Sequence, residues 1–259
     1  MTTNTPPTNA SVSLVVVENG TVVQKPLGRI IELETEESYT VLAWMREDAP
    51  PLALLDSASE GLRIEDLVEQ FIEANFLIRG VFQTLIKKYS PTQQLAPNVA
   101  FASGEAYDKV KLKIKKEKKG DKEVIPVAHY IPATLTYTCS LPAIARSGYH
   151  PTFHEQFHHY HWILNPEDYK AADDTMREEM PVFGQQLFGI HRRYHPNTPH
   201  GRAQEILRRL AQTQFQGWSF ERKWEFLKEH RKHEPLLDSC EIVVDRYEIA
   251  ELVYEGIEI

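Results

Sequence analysis

The 259-residue chain has only two cysteines, and none of its apolar runs approaches the length that crosses a membrane. Cys139 and Cys240 are too few for a disulfide framework and lack metal-site spacing, so we expect reduced, buried thiols. The first residues show no basic start followed by an apolar stretch, which predicts no signal peptide and a cytoplasmic or intracellular-particle location. No phosphate-binding loop, dinucleotide fingerprint, G-x-S-x-G or paired Cys-x-x-Cys is present. These absences exclude many common enzyme classes.

Hydrophobic periodicity predicts an α+β fold with a mixed or antiparallel sheet. Asn19-Gly20 follows a β-rich run and is the preferred pair for a two-residue hairpin turn. Residues 90–104, which contain proline and asparagine, are predicted to form a loop. Residues 109–119 alternate apolar and lysine side chains, which predicts a strand with one buried and one solvent-exposed face. The predicted units are an extended tail 1–10 and one α+β domain 11–259, divided into β-rich 11–50, helical 61–89, β-hairpin 106–139, helical 141–235 and C-terminal strands 240–255. N-terminal, central and C-terminal strands are expected to share the sheet.

Five of the eleven histidines lie within residues 149–161, which read YHPTFHEQFHHYH. Thr152 and Glu155 fit a capping box, which predicts a helix start near residue 153. The next residues match H-E-x-x-H, whose spacing places two imidazoles on one helical face, where they can bind a metal.

This five-residue match resembles the zincin metallopeptidases. The resemblance implies that His154 and His158 bind zinc and that Glu155 is the general base. Leu164 stands where the extended form of the motif has its third ligand, so Glu178 or Glu179 is the candidate third ligand.

A second interpretation starts from residues 159–164, HYHWIL, preceded by ATLTY at 133–137. These segments resemble the strand motifs of HUH nucleases. That resemblance implies His159 and His161 as ligands of a divalent metal, with Tyr169 or Tyr194 as the nucleophile. The two interpretations exclude each other, because one requires a helix and the other a strand.

The third interpretation involves no ion: the aromatic residues of the segment pack and its histidines form hydrogen bonds. We favour it from sequence alone, because no third ligand is evident there.

Arginines and tryptophans concentrate after residue 190, although the chain carries a net charge of −8. This pattern fits a protein contact surface better than a phosphate-binding surface, because the net charge is negative. The candidate interface or phosphate-binding residues are Arg192, Arg193, Arg202, Arg208, Arg209, Trp218 and Trp224.

The sequence therefore predicts a non-enzymatic structural or adaptor subunit of a larger assembly, of virion or mobile-element type, without a cofactor. Its expected partners are protein subunits, in a homo-oligomer or hetero-assembly, and no membrane. The alternative is a metal-dependent hydrolase or nuclease with zinc or manganese at the histidine segment. The second alternative is a nucleic-acid-binding module that uses the basic segment 192–209.

Overall fold

A computed structural model describes residues 7–34, 40–47, 62–110, 117–119, 122–124, 127–147, 151–190 and 192–229. Most of the predicted tail, the middle of the lysine-rich strand, Cys240 and the predicted C-terminal strands lie outside these residues. The strands are β1 (Asn9–Glu18), β2 (Thr21–Glu34), β3 (Thr40–Arg46), β4 (Asn98–Ala102), β5 (Glu117–Lys119), β6 (Lys122–Val124), β7 (Ala128–Ile131) and β8 (Thr136–Ser140). The helices are α1 (Ile64–Tyr89), α2 (Gly104–Val110), α3 (Leu141–Ser147), α4 (Thr152–Leu164), α5 (Pro166–Ala171), α6 (Asp174–Leu187), α7 (Pro199–Thr213) and α8 (Phe220–Glu229).

The hairpin predicted at Asn19-Gly20 is confirmed. Both residues have positive φ, 50° and 78°, which the two-residue turn requires. The turn fixes the register of β1 on β2, with Glu18 opposite Thr21. This hairpin is the N-terminal part of the sheet.

Six strands form one mixed sheet in the order β3-β2-β1-β4-β8-β7. The central strand β4 pairs in parallel with both β1 and β8, whereas β2, β3 and β7 are antiparallel to their neighbours. β5 and β6 form a separate two-stranded ribbon. The predicted α+β class with a mixed sheet is confirmed.

Two predictions of local structure are wrong. Residues 90–104 were expected to form a loop, but β4 lies there, with every residue after Asn98 buried. Residues 109 and 110 were expected in a strand, but they end helix α2, which packs Ala106 and Tyr107 against the sheet.

Helix α1 connects two hydrophobic cores. Its apolar residues recur at helical spacing, with Glu65 and Asp66 in the first turn and lysines in the last, which suits the helix dipole. The N-terminal half packs Leu67 and Phe71 into a core with the sheet. The C-terminal half packs Ile78 and Phe82 into a second core with α4, α6, α7 and α8.

Helix α4 is nearly surrounded by protein, since eleven of its thirteen residues are buried. Polar side chains on such a helix lose their contact with water and therefore need partners within the fold. The histidines of α4 are among these side chains, so the elements around α4 determine what each imidazole does.

Candidate metal centre

Residues 152–164 form one helix, and this geometry decides which histidines can act together. His154 and His158 are one turn apart and lie on the same face of α4. The helix begins after Pro151 and has no side-chain cap, so the predicted capping box, which would engage Glu155, is not formed. The strand on which the HUH interpretation depends is not formed either.

Helix α6 places a carboxylate opposite the two imidazoles. Asp173 caps this helix by accepting a hydrogen bond from the Met176 backbone N–H at 2.8 Å. Glu178, the fifth residue of the helix, brings its Oε2 atom to 3.1 Å from His154 Nε2 and 3.4 Å from His158 Nε2. The three candidate ligand atoms of these residues all lie within 4.8 Å of one another.

The two distances suit a shared metal ion. Zinc bonds of about 2.0–2.1 Å in a tetrahedron place neighbouring ligand atoms about 3.3–3.4 Å apart. The contacts of Glu178 Oε2 with His154 and His158, 3.1 and 3.4 Å, are close to this value. Of the two candidate third ligands from the sequence, Glu178 is therefore the one that joins the histidines.

A third imidazole reaches the same oxygen from helix α7. His200 Nε2 lies 3.1 Å from Glu178 Oε2, and the His200 ring stacks on that of His154 with centroids 5.1 Å apart. Glu178 Oε2 is buried, and within the described chain no donor is aligned on it as a hydrogen bond. A carboxylate oxygen surrounded by nitrogen atoms at this range, but not aligned with them, is suited to bind a cation between them.

The protonation state of His154 strengthens this conclusion. Its Nδ1 lies 3.3 Å from Gln185 Oε1, and an amide oxygen only accepts, so Nδ1 carries the proton. Burial lowers the pKa of His154 to about 4, although the nearby Glu178 acts in the opposite direction. The neutral ring therefore presents the Nε2 lone pair to a carboxylate oxygen, an arrangement that is repulsive unless a cation lies between them.

The pKa values of the two glutamates of the site, Glu178 and Glu155, are shifted in opposite directions. Burial acts to raise the pKa of Glu178, but the nearby His158 and His200 outweigh burial and hold this pKa well below the usual range. For the buried Glu155, burial and the negative charge of Glu178 raise the pKa well above the usual value. Without a cation, the surroundings therefore favour the negative charge on Glu178 and disfavour it on Glu155.

The other two predicted metal-binding histidines have different partners. His159 is fully buried, with Nε2 3.0 Å from the Gln94 carbonyl oxygen and Nδ1 2.9 Å from the Tyr130 hydroxyl. Because the carbonyl only accepts, Nε2 is the protonated nitrogen and Nδ1 accepts from Tyr130. His161 pairs through Nε2 with Asp168 Oδ2 at 2.8 Å. The structure brings neither of them to Glu178.

The two tyrosines that were candidate nucleophiles lie beside the histidines. The Tyr169 ring centroid is 6.2 Å from that of His158, and the Tyr194 centroid is 4.8 Å from that of His200. His200 and Gln185 were missed by the sequence analysis. Neither is part of a recognisable motif, and only the packing of α6 and α7 on α4 brings them to the site.

The predicted basic surface is largely engaged within the chain. Arg208 and Arg209 both bind Glu205, with Nε–O distances of 2.8 Å, and Arg202 donates to Thr175 and to the Asn197 carbonyl oxygen.

The remaining candidates of this group differ in exposure. Arg193 is exposed, and Arg192 lies over the Tyr194 ring. Trp218 stacks with Arg222 at 4.0 Å, whereas Trp224 is fully buried and contacts Phe82 in the second core.

Comparison with protein-family models, with curated proteins and with solved structures found no match for this chain. Among the described helices, none combines the length and the apolar character that a membrane span requires.

Proposed function

We propose that the protein is a metal-dependent hydrolase whose zinc ion is bound by His154, His158 and Glu178. The convergence of these three side chains from two helices, with ligand atoms within 4.8 Å of one another, carries the proposal. Two imidazoles and one carboxylate suit zinc better than manganese or magnesium, which prefer oxygen ligands.

Three protein ligands leave a fourth position for water, as in catalytic zinc sites with two histidines and one glutamate. Bound zinc would acidify this water and polarise a substrate carbonyl. Glu155 follows the first ligand directly, as in the H-E-x-x-H pattern of the zincins that the segment resembles. We assign Glu155 as the base that takes a proton from the water. Its pKa is raised by burial and by Glu178, and the positive charge of a bound zinc ion would lower it toward the ionised form that this role requires.

The proposed reaction is hydrolysis of an amide bond, as the resemblance to peptidases suggests. The water oxygen adds to the carbonyl carbon while Glu155 accepts a proton. The C–N bond then breaks, and Glu155 returns the proton to the departing amine. The products are a carboxylic acid and an amine, and no oxidant or second substrate is needed.

The first test is metal content after purification without an affinity tag. Elemental analysis should find about one zinc per chain in the wild-type protein, and His158→Ala and Glu178→Gln should lose it. His195→Ala removes an exposed histidine outside the site and should keep the metal. A wild-type protein that takes up no zinc, or ligand variants that retain it fully, would refute the proposal.

The second test separates metal binding from chemistry. Glu155→Gln should keep zinc but lower the hydrolysis of a fluorogenic peptide mixture by about 10²–10⁴-fold, the usual contribution of a general base. Undiminished hydrolysis in this variant would show that Glu155 is not the base.

The structural or adaptor role and the nucleic-acid role that the sequence predicts stay predictions. The described contacts support the metal centre more directly than either of them.

A further inference from the structure

We propose that Gln185, Tyr194 and His200 form an arm of contacts that orients two of the metal ligands, His154 and Glu178. This inference rests on the proposed zinc site, since it assigns the residues that hold that site in its binding geometry. The arm starts on α6, passes through the segment before α7 and returns to α6 from the first turn of α7.

The first contact of the arm determines which ring nitrogen of His154 carries the proton. Gln185 is almost completely buried, at 1% exposed, and its Oε1 accepts the Nδ1 proton of His154 at 3.3 Å. This bond leaves the Nε2 lone pair for the metal and fixes the rotation of the ring. Partners of this kind around metal-binding histidines typically contribute 10–100-fold to metal affinity.

The second contact fixes Gln185 itself. The Tyr194 hydroxyl donates to the same Oε1 atom at 2.7 Å, so this oxygen is held from two directions. Tyr194 is tied to α7 through its backbone N–H, which donates to Gln204 Oε1 at 3.4 Å. The Gln204 amide in turn donates to the Arg192 carbonyl oxygen at 2.7 Å. The segment that carries Tyr194 is thereby joined to α7.

The third contact returns to the ligands. The Tyr194 ring packs on His200, with centroids 4.8 Å apart, and His200 Nε2 lies 3.1 Å from Glu178 Oε2. His200 is in the first turn of α7, and Thr198 caps this helix by accepting from the Gly201 N–H at 3.1 Å. A Cβ on Gly201 would lie 2.0 Å from the His195 carbonyl oxygen, so only glycine allows this close turn. These contacts therefore hold His200 against the Glu178 carboxylate.

The arm is tested by measuring zinc affinity in competition with a chromophoric chelator. Gln185→Leu should weaken zinc binding by about 10–100-fold. Gln185→Glu should stay within a few-fold of wild type, because a carboxylate accepts both hydrogen bonds. Tyr194→Phe keeps the ring and loses one hydrogen bond, so we expect a few-fold loss. Gln186→Leu, at the half-buried neighbouring position, is the matched control and should bind as wild type does.

Absorption of the Co²⁺-loaded protein adds a readout that a purely structural role would not change. The visible bands depend on ligand geometry, so Gln185→Leu should shift them while Gln186→Leu should not. Tyr194→Phe supplies the same comparison if Gln185→Leu does not fold. Zinc affinities and cobalt spectra equal to wild type in the variants that fold would overturn the arm and leave the metal site intact. A wild-type protein without zinc uptake would overturn both proposals.

Discussion

The contact between α4 and α6 is where a single methyl group should affect both stability and metal binding. Gly184 of α6 lies against the Phe157 ring of α4, and a Cβ built on it would be 2.3–2.4 Å from three ring atoms. Ordinary carbon contacts are about 3.5–4.0 Å, so the helices would have to separate by more than 1 Å. Phe157 is completely buried, which leaves its ring little room to move away.

The size of the effect follows from a comparison with Gly80, which lies on the exposed side of α1. A Cβ there meets nothing within 4 Å, so Gly80→Ala should stabilise the protein by about 0.5–1 kcal/mol through helix propensity. Gly184→Ala gains the same propensity but carries an overpacking cost of about 1–3 kcal/mol. The difference between the two variants therefore isolates the packing term.

Urea unfolding of both variants, read by circular dichroism, gives this difference directly. We expect Gly184→Ala to be less stable than Gly80→Ala by about 1–3 kcal/mol. We also expect weaker zinc binding, because α6 carries Glu178 and Gln185. If both variants were stabilised equally and bound zinc equally, the close approach of the two helices would not hold.

Four further predictions concern the Cys139 thiol, the metal and the second core. Burial raises the pKa of Cys139 from its ordinary 9.0 to about 12, so at pH 8 roughly one thiol in 10,000 is ionised, and iodoacetamide should modify a Cys240→Ser variant only after unfolding. The raised pKa of Cys139 also stabilises the folded state, because the unfolded thiol ionises at lower pH than the folded one. This stabilisation is complete below pH 9 and is lost as the pH rises toward 12. The urea midpoint of the wild type should therefore fall more steeply in this range than that of Cys139→Ala. Protein stripped of zinc with a chelator should melt roughly 5–10 °C below protein kept in free zinc at about 100 times the dissociation constant. An unchanged melting curve would argue against a zinc site in the folded state. Phe82→Ala, which empties a fully buried position beside Phe157 and Trp224, should cost about 3–5 kcal/mol in urea unfolding, and a cost below 1 kcal/mol would contradict the packing described for the second core.

The parts of the fold that sequence predicts well are those with a local physical cause. Asn19-Gly20 specifies its own turn through positive φ, and α1 shows its buried face as a 3.6-residue repeat. Strand β4 has no such signal. It is buried on both faces between two parallel neighbours, so its residues do not alternate, and it follows a segment rich in turn-forming residues.

The residues of the candidate site also differ in whether a local sequence signal identifies them. The pair His154 and His158 follows from helical spacing alone, and H-E-x-x-H identifies it. The choice of Glu178 over Glu179 does not follow from spacing, because it depends on which face of α6 packs on α4. His200 is 42 residues beyond His158 and reaches Glu178 only through the packing of a third helix.

The density of histidines in the sequence is a poor guide to the number of metal ligands. Consecutive helical residues point about 100° apart, so neighbouring imidazoles on a buried helix meet different partners. On α4, His158 faces the Glu178 carboxylate, whereas the next residue, His159, bonds to Tyr130 and to the Gln94 carbonyl oxygen. A metal centre requires atoms that converge on one point, and here the converging atoms come from α4 and α6, with His200 added from α7. The convergence of separate elements, more than the run of histidines, therefore distinguishes a metal centre from a helix whose imidazoles only pack.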